Sequence, residues 1–235
     1  MSIQKNSLSL PAHSLPSQVS LRLHRILRPF LSIGLIAAYP LSKILPLSWG
    51  WENGPFEQVQ AVILIAGAIL AYYLSRQFKD DFLRRFWLWT IPIWLVMAGR
   101  ELNWGAAFYP PVKLSEGEPV LLSRSDLWYG AMVYPLLGVV LLAWLIAVVK
   151  YRLYRMPLQL VLDHCFPIFE SALTFLAALL SDAAEHQRFF FGLLGQHHQV
   201  LEELAEFLFY LGLIATSLAI FRLHKKKGFM KSPSL

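Results

Sequence analysis

The stretch 127–149 reads LWYGAMVYPLLGVVLLAWLIAVV, twenty-three residues without a charge. A helix on the surface of a soluble protein carries a polar stripe opposite its apolar one. This segment is apolar on every side. It is long enough to cross the roughly 30 Å of a bilayer's hydrocarbon. As a helix it would also satisfy its own backbone there. The segment therefore reads as a membrane span, and the rest of the chain is read outward from it.

The composition agrees. Of 235 residues, 56% are hydrophobic and only 15% charged, with sixteen Phe and eight Trp. Soluble domains usually carry about a quarter charged residues. Five further apolar segments predict spans at 28–47, 56–76, 86–104, 158–181 and 202–222. The first is the weakest, because Pro40, Lys43 and Pro46 interrupt it. The expectation is an all-helical, polytopic membrane protein with a six-helix domain over 28–222. A mobile, basic N-terminal tail (1–27) and a basic cytoplasmic C-terminal tail (223–235) are expected to flank it.

Charge orients the six spans. Counting the residues that end a span, sixteen of the 21 Lys and Arg fall on the side that holds the start of the first span, the 2–3 and 4–5 connections and the end of the sixth. Lys43, Arg100, Lys113, Arg124 and Arg188 fall on the other side. Positive residues concentrate in cytoplasmic loops, so both termini are expected in the cytoplasm of a bacterial inner-membrane protein. The net charge of +6 is then a matter of topology and implies no nucleic-acid partner. The expected partner is the lipid bilayer. No cleavable signal peptide is expected, since residues 1–20 are polar and no A-x-A site follows a short apolar core. The single cysteine, Cys165, excludes an internal disulfide and a CxxC motif. The chain shows no internal repeat, heptad run or Gly-rich phosphate loop.

The acids collect on the outer side. Eleven of the 15 fall there, although orientation rules give acids little weight. Glu52 and Glu57 flank the turn Asn53-Gly54-Pro55, and Arg100 and Glu101 end the third span. Asp182 and His186 follow the fifth. The sixth opens with HHQVLEELAE (197–206), where His198, Glu202 and Glu206 recur every four residues and share one helix face. Glu203 lies beside that stripe. Acids in the first turn suit the helix dipole, which accounts for Glu202 and Glu203. Glu206 lies a turn deeper and needs a partner, because an unpaired acid in hydrocarbon is costly.

Three arrangements are open for this face. Asp182, His186, His198, Glu202 and Glu206 could hold a divalent metal such as Zn, Mn or Fe, since neutral His and ionised carboxylates ligate all three. Facing helices of carboxylate-bridged bundles converge in this way, and a bound metal could activate water for a membrane hydrolase. A metal-free network of Arg100, Glu101, His186 and Glu206 is the second arrangement, and separate interfacial charges the third. As catalytic groups the candidates are Glu101, Glu206 and Arg100, within a polar cleft completed by Glu52, Glu57 and Glu203.

The fifth span holds Asp163 and Glu170, seven apart and hence on one face of a continuous helix. Acids within the membrane often mark a proton or ion path, so a coupled transporter using Glu170 is the alternative function. The bland reading is a protonated Glu170 hydrogen-bonded between helices. A non-catalytic assembly partner is a third class. The outer loop 109–126, where Pro and Gly disfavour a regular helix, is a candidate lid.

ENGPFE (52–57), RELNWG (100–105) and EELAE (202–206) together resemble a loose group of uncharacterised bacterial polytopic inner-membrane proteins. Those carry an E-x-G-x-x-E entry to an early helix, an R-E-L or E-x-x-W-G motif after a later one, and an E-E-x-x-E entry to the last. The resemblance implies the membrane fold and no established activity. Ser181-Asp182 with His186, His197 and His198 also has the ingredients of membrane hydrolases related to alkaline ceramidases. The span count and histidine spacing differ, so that activity is not carried over.

Overall fold

The computed structural model describes residues 14–115, 118–120, 122–188 and 194–227. Seven α-helices make up the described fold: α1 Ser14–Ile44, α2 Pro55–Arg76, α3 Asp81–Glu101, α4 Gly130–Lys150, α5 Arg155–Leu162, α6 Ile168–Glu185 and α7 His197–Lys227. Short 3-10 turns punctuate them at Leu47–Trp49, Asn103–Phe108 and Arg124–Asp126. Beside the helices there is only a small antiparallel ribbon among the described residues, β1 Lys113–Ser115 with β2 Glu118–Val120.

Local sequence explains the helix boundaries. Proline at the first position of α2 loses no helical hydrogen bond. Glu57, two residues on, accepts from the backbone N–H of Asn53 at 2.6 Å. The Asp80 carboxylate caps α3 by accepting from Leu83 N–H at 2.9 Å. Pro40 and Pro29 are carried inside α1 without ending it.

Among the described residues three helices are long and apolar enough to cross a membrane: Pro55–Arg76, Gly130–Lys150 and His197–Lys225. The expected continuous helix over 158–181 is broken. α5 ends at Leu162, His164 takes a left-handed conformation (φ 53°), and Pro167 precedes α6. Pro167 lacks the N–H that a continuing helix would use. Asp163 therefore ends α5 on the exposed surface, while Glu170 sits buried in the first turn of α6. The two acids do not share a helix face.

α7 is the hub. It packs along α6, α1 and α2, and its Val200, Leu201, Ala205, Leu208, Ala215 and Leu218 are buried. α2 and α3 form a closely packed hairpin. α4 stands apart, touching mainly α3 and the turn before it. Only 6% of its apolar window is buried, against 44% for α2 and 50% for α7. The most apolar helix of the chain thus has almost no protein around it, as a lipid-facing helix would.

Candidate functional site

The N-terminal ends of α2 and α7 meet the C-terminal end of α3 at one end of the bundle. Gly50 sets this junction. A Cβ there would lie 2.6 Å from the backbone nitrogen of Val200, so only glycine lets the loop before α2 lie against α7. After α3, Asn103, Trp104 and Gly105 all adopt left-handed backbone, with φ of 44°, 54° and 100°. Left-handed backbone costs a non-glycine residue roughly 1–2 kcal/mol. The Tyr129 hydroxyl stabilises the bend by donating to Trp104 O at 3.0 Å. The bend turns Asn103 back so that its amide donates to Glu52 Oε1 at 2.8 Å.

The result is a cleft of about 260 Å³ lined by Glu52, Glu57, Arg100, Glu101, Asn103, Glu202, Glu203 and Glu206. Six carboxyl groups share it with one guanidinium. Arg100 Nη2 donates to Glu206 Oε1 at 2.7 Å, and its Nε lies 3.6 Å from Glu101 Oε1. Tyr210 donates to Glu101 Oε1 at 2.7 Å. Ser181 Oγ lies 3.4 Å from Glu206 Oε1. The Glu101 side chain is 3% exposed and that of Glu206 13%, whereas Arg100 is 64% exposed. Two inner acids thus hang on one cation at the mouth. On the opposite wall Gln60, fully buried, donates to Glu203 at both Oε2 (2.9 Å) and the backbone oxygen (2.8 Å). Glu202 makes no hydrogen bond or ion pair among the described residues.

The histidines expected here stand apart. His186 Nδ1 donates to the backbone oxygen of Asp182 at 3.0 Å, and Arg188 pairs with the Asp182 carboxylate at 2.7 Å. His198 Nδ1 donates to Gly195 O, which leaves its Nε2 to accept from Gln187 at 3.3 Å. These groups tie the α6–α7 connection together and do not line the cleft. Among the described residues no three His, Cys, Asp or Glu side chains are grouped to hold a metal ion. None of the described residues of the 109–126 loop, the candidate lid, lines the cleft either; residues 116, 117 and 121 lie outside the described ones.

No protein-family model, curated protein or solved structure matches this chain.

A second buried ionic cluster lies at the opposite end of the bundle. Glu170 Oε1 accepts from His24 Nε2 at 2.9 Å and lies 3.7 Å from Arg28 Nε. Arg222 donates to His24 Nδ1 at 2.6 Å. The guanidinium can only donate, so Nδ1 is the acceptor and the imidazole is neutral with its proton on Nε2. From Glu206 to Arg222 is sixteen residues of α7, about 24 Å along the axis. Between the two clusters Thr174 donates to Glu170 O at 2.7 Å and lies 3.5 Å from the Thr216 hydroxyl.

Sequence reasoning missed Tyr210, Gln60 and His24, and met Ser181 only in a resemblance that was not carried over. Tyr210 continues the stripe of His198, Glu202 and Glu206 by one more step of four. Gln60 follows Glu57 by three, on nearly the same helix face. His24 is 146 residues from Glu170, and nothing local joins them.

His24 lies one turn before the first expected span, and burial, reinforced by the Arg222 charge, pushes its pKa below the ordinary 6.5. A histidine harder to protonate in the folded state stabilises the fold fully above 6.5. That contribution drains away as pH falls through 6.5 toward the depressed folded value. Unfolding midpoints in detergent between pH 7.5 and 5 should therefore fall on acidification, and His24→Gln should flatten that fall. An equal slope in the variant would show that His24 is not the titrating group.

Proposed function

We propose that this chain is an inner-membrane protein of six spans, with both termini cytoplasmic, and that its periplasmic cleft binds a cation. One observation carries the reading: six carboxyl groups and a single guanidinium surround about 260 Å³. A cavity walled by one sign of charge attracts the opposite sign. The donors are oxygens alone, which suit an ammonium group or a hard divalent ion such as Mn²⁺ better than Zn²⁺. Since no three of the described acids are grouped to hold a metal ion, a metal-dependent membrane hydrolase, whose metal would supply an activated water, would need the ion itself to draw Glu202 and Glu206 together. Arg100 would hold Glu206 and Glu101 in place through its ion pairs.

Glu202 is the side chain to test, since no ion pair is lost with it. Calorimetric titration of the purified protein with MnCl₂, CaCl₂ and ethylammonium chloride should find at least one ligand that binds. Glu202→Gln should weaken that ligand about tenfold, the usual scale for losing one charge-assisted contact. No binding of any of the three, or equal binding by the variant, would overturn the reading.

The His24–Glu170–Arg222 cluster favours a second reading, a proton- or ion-coupled transporter. In that case Ser181, Thr174 and Thr216 mark the route between the two buried ionic clusters along the α6–α7 seam.

A further inference from the structure

The groove between α3 and α4 is unlike the cleft in every respect. It measures about 260 Å³ and is lined by Phe86, Trp89 and Thr90 of α3, by Trp144 and Val148 of α4, and by Tyr154 beyond. Its walls are almost wholly apolar, and it opens beside the helix with least protein cover. At one end two exposed cations flank a single ring. The Arg85 guanidinium lies 4.8 Å from the Tyr151 centroid, and the Lys150 ammonium 5.7 Å from it. Among the described residues neither cation meets a carboxylate. Their neighbour Arg84 does, pairing with Asp81 at 3.2 Å.

We propose that this groove holds an acyl chain of an anionic phospholipid whose phosphate rests between Arg85 and Lys150. The proposal needs only that these helices lie in a bilayer, and it is independent of what the cleft binds. Distances along the helices fit an amphiphile. Trp89 lies four residues past Arg85, about 6 Å along α3, and Trp144 six residues before Lys150, about 9 Å along α4. Neither indole N–H has a partner among the described residues. Two donors at that depth suit the ester oxygens that follow a phosphate into the membrane. Cations that meet a ring but no carboxylate carry the selectivity, because a zwitterionic headgroup offers them no net charge.

The test is native mass spectrometry of the detergent-purified protein with equimolar phosphatidylglycerol and phosphatidylcholine of identical chains. Wild type should retain one phosphatidylglycerol in preference. Arg85→Gln and Lys150→Gln should each reduce the preference about fivefold, the scale of one basic side chain at an anionic membrane surface. Thr90→Trp, which fills the groove, should lose both lipids. Arg84→Gln, whose cation is already paired, should keep the preference. Equal retention of the two lipids by wild type would overturn the proposal. So would an Arg84→Gln loss as large as that of Arg85→Gln, or a lipid-free dimer showing that a second copy closes the groove.

Discussion

Arg100→Met should destabilise the folded protein by about 3 kcal/mol, the lower end of the range for removing one partner of a buried ion pair. The low end applies because Arg100 itself is 64% exposed, and solvent screens part of its attraction. The loss falls on the acids. Glu206 and Glu101 would remain almost buried with no other ion-pair partner among the described residues, and Tyr210 can serve only one of them at short range. Neutralising one acid should relieve the strain, so Arg100→Met with Glu206→Gln should recover most of the stability. Unfolding in detergent, followed across this double-mutant cycle, measures the coupling directly. Purely additive losses would mean that the guanidinium does not hold the acids.

Glu170→Ala should cost a similar amount, about 3–4 kcal/mol, for the complementary reason. Glu170 is 6% exposed and is the only carboxylate, among the described residues, that Arg28 and His24 meet. Its removal strands a buried imidazole N–H beside two guanidinium groups. Glu170→Gln separates the two readings of this residue. The amide oxygen still accepts from His24, so a structural role predicts a stability within about 1 kcal/mol of wild type. A coupling role predicts that the same variant, though folded, loses proton-linked uptake into proteoliposomes. Uptake that survives in Glu170→Gln would leave the cluster as a clamp between α1, α6 and α7.

The parts that could be read from sequence are those written in local periodicity. The run 127–149 covers all of α4 but its last residue, Lys150, and the step of four joins Glu202 and Glu206, which both enter the cleft. ENGPFE and RELNWG were legible for the same reason, since a turn or a helix end fixes where neighbouring side chains point. What failed was long-range or conformational. The sequence does not show that Gly195 O and Gln187 use up the ring nitrogens of His198, which takes it out of the cleft. Asp163 and Glu170 looked cofacial until the chain broke at His164–Pro167, because a seven-residue spacing means one face only within an unbroken helix. The tie between His24 and Glu170 spans most of the chain and left no local pattern.

In a six-span protein with cytoplasmic termini the acidic cleft and the α6–α7 connection face the same aqueous compartment, away from the α2–α3 turn. In a Cys165→Ser background, Glu52→Cys and His186→Cys should react with a membrane-impermeant maleimide on intact cells. Lys79→Cys, equally exposed at the opposite end, should react only after the membrane is opened. Labelling of positions 52 and 186 from different sides, or of position 79 together with them from outside, would contradict this placement.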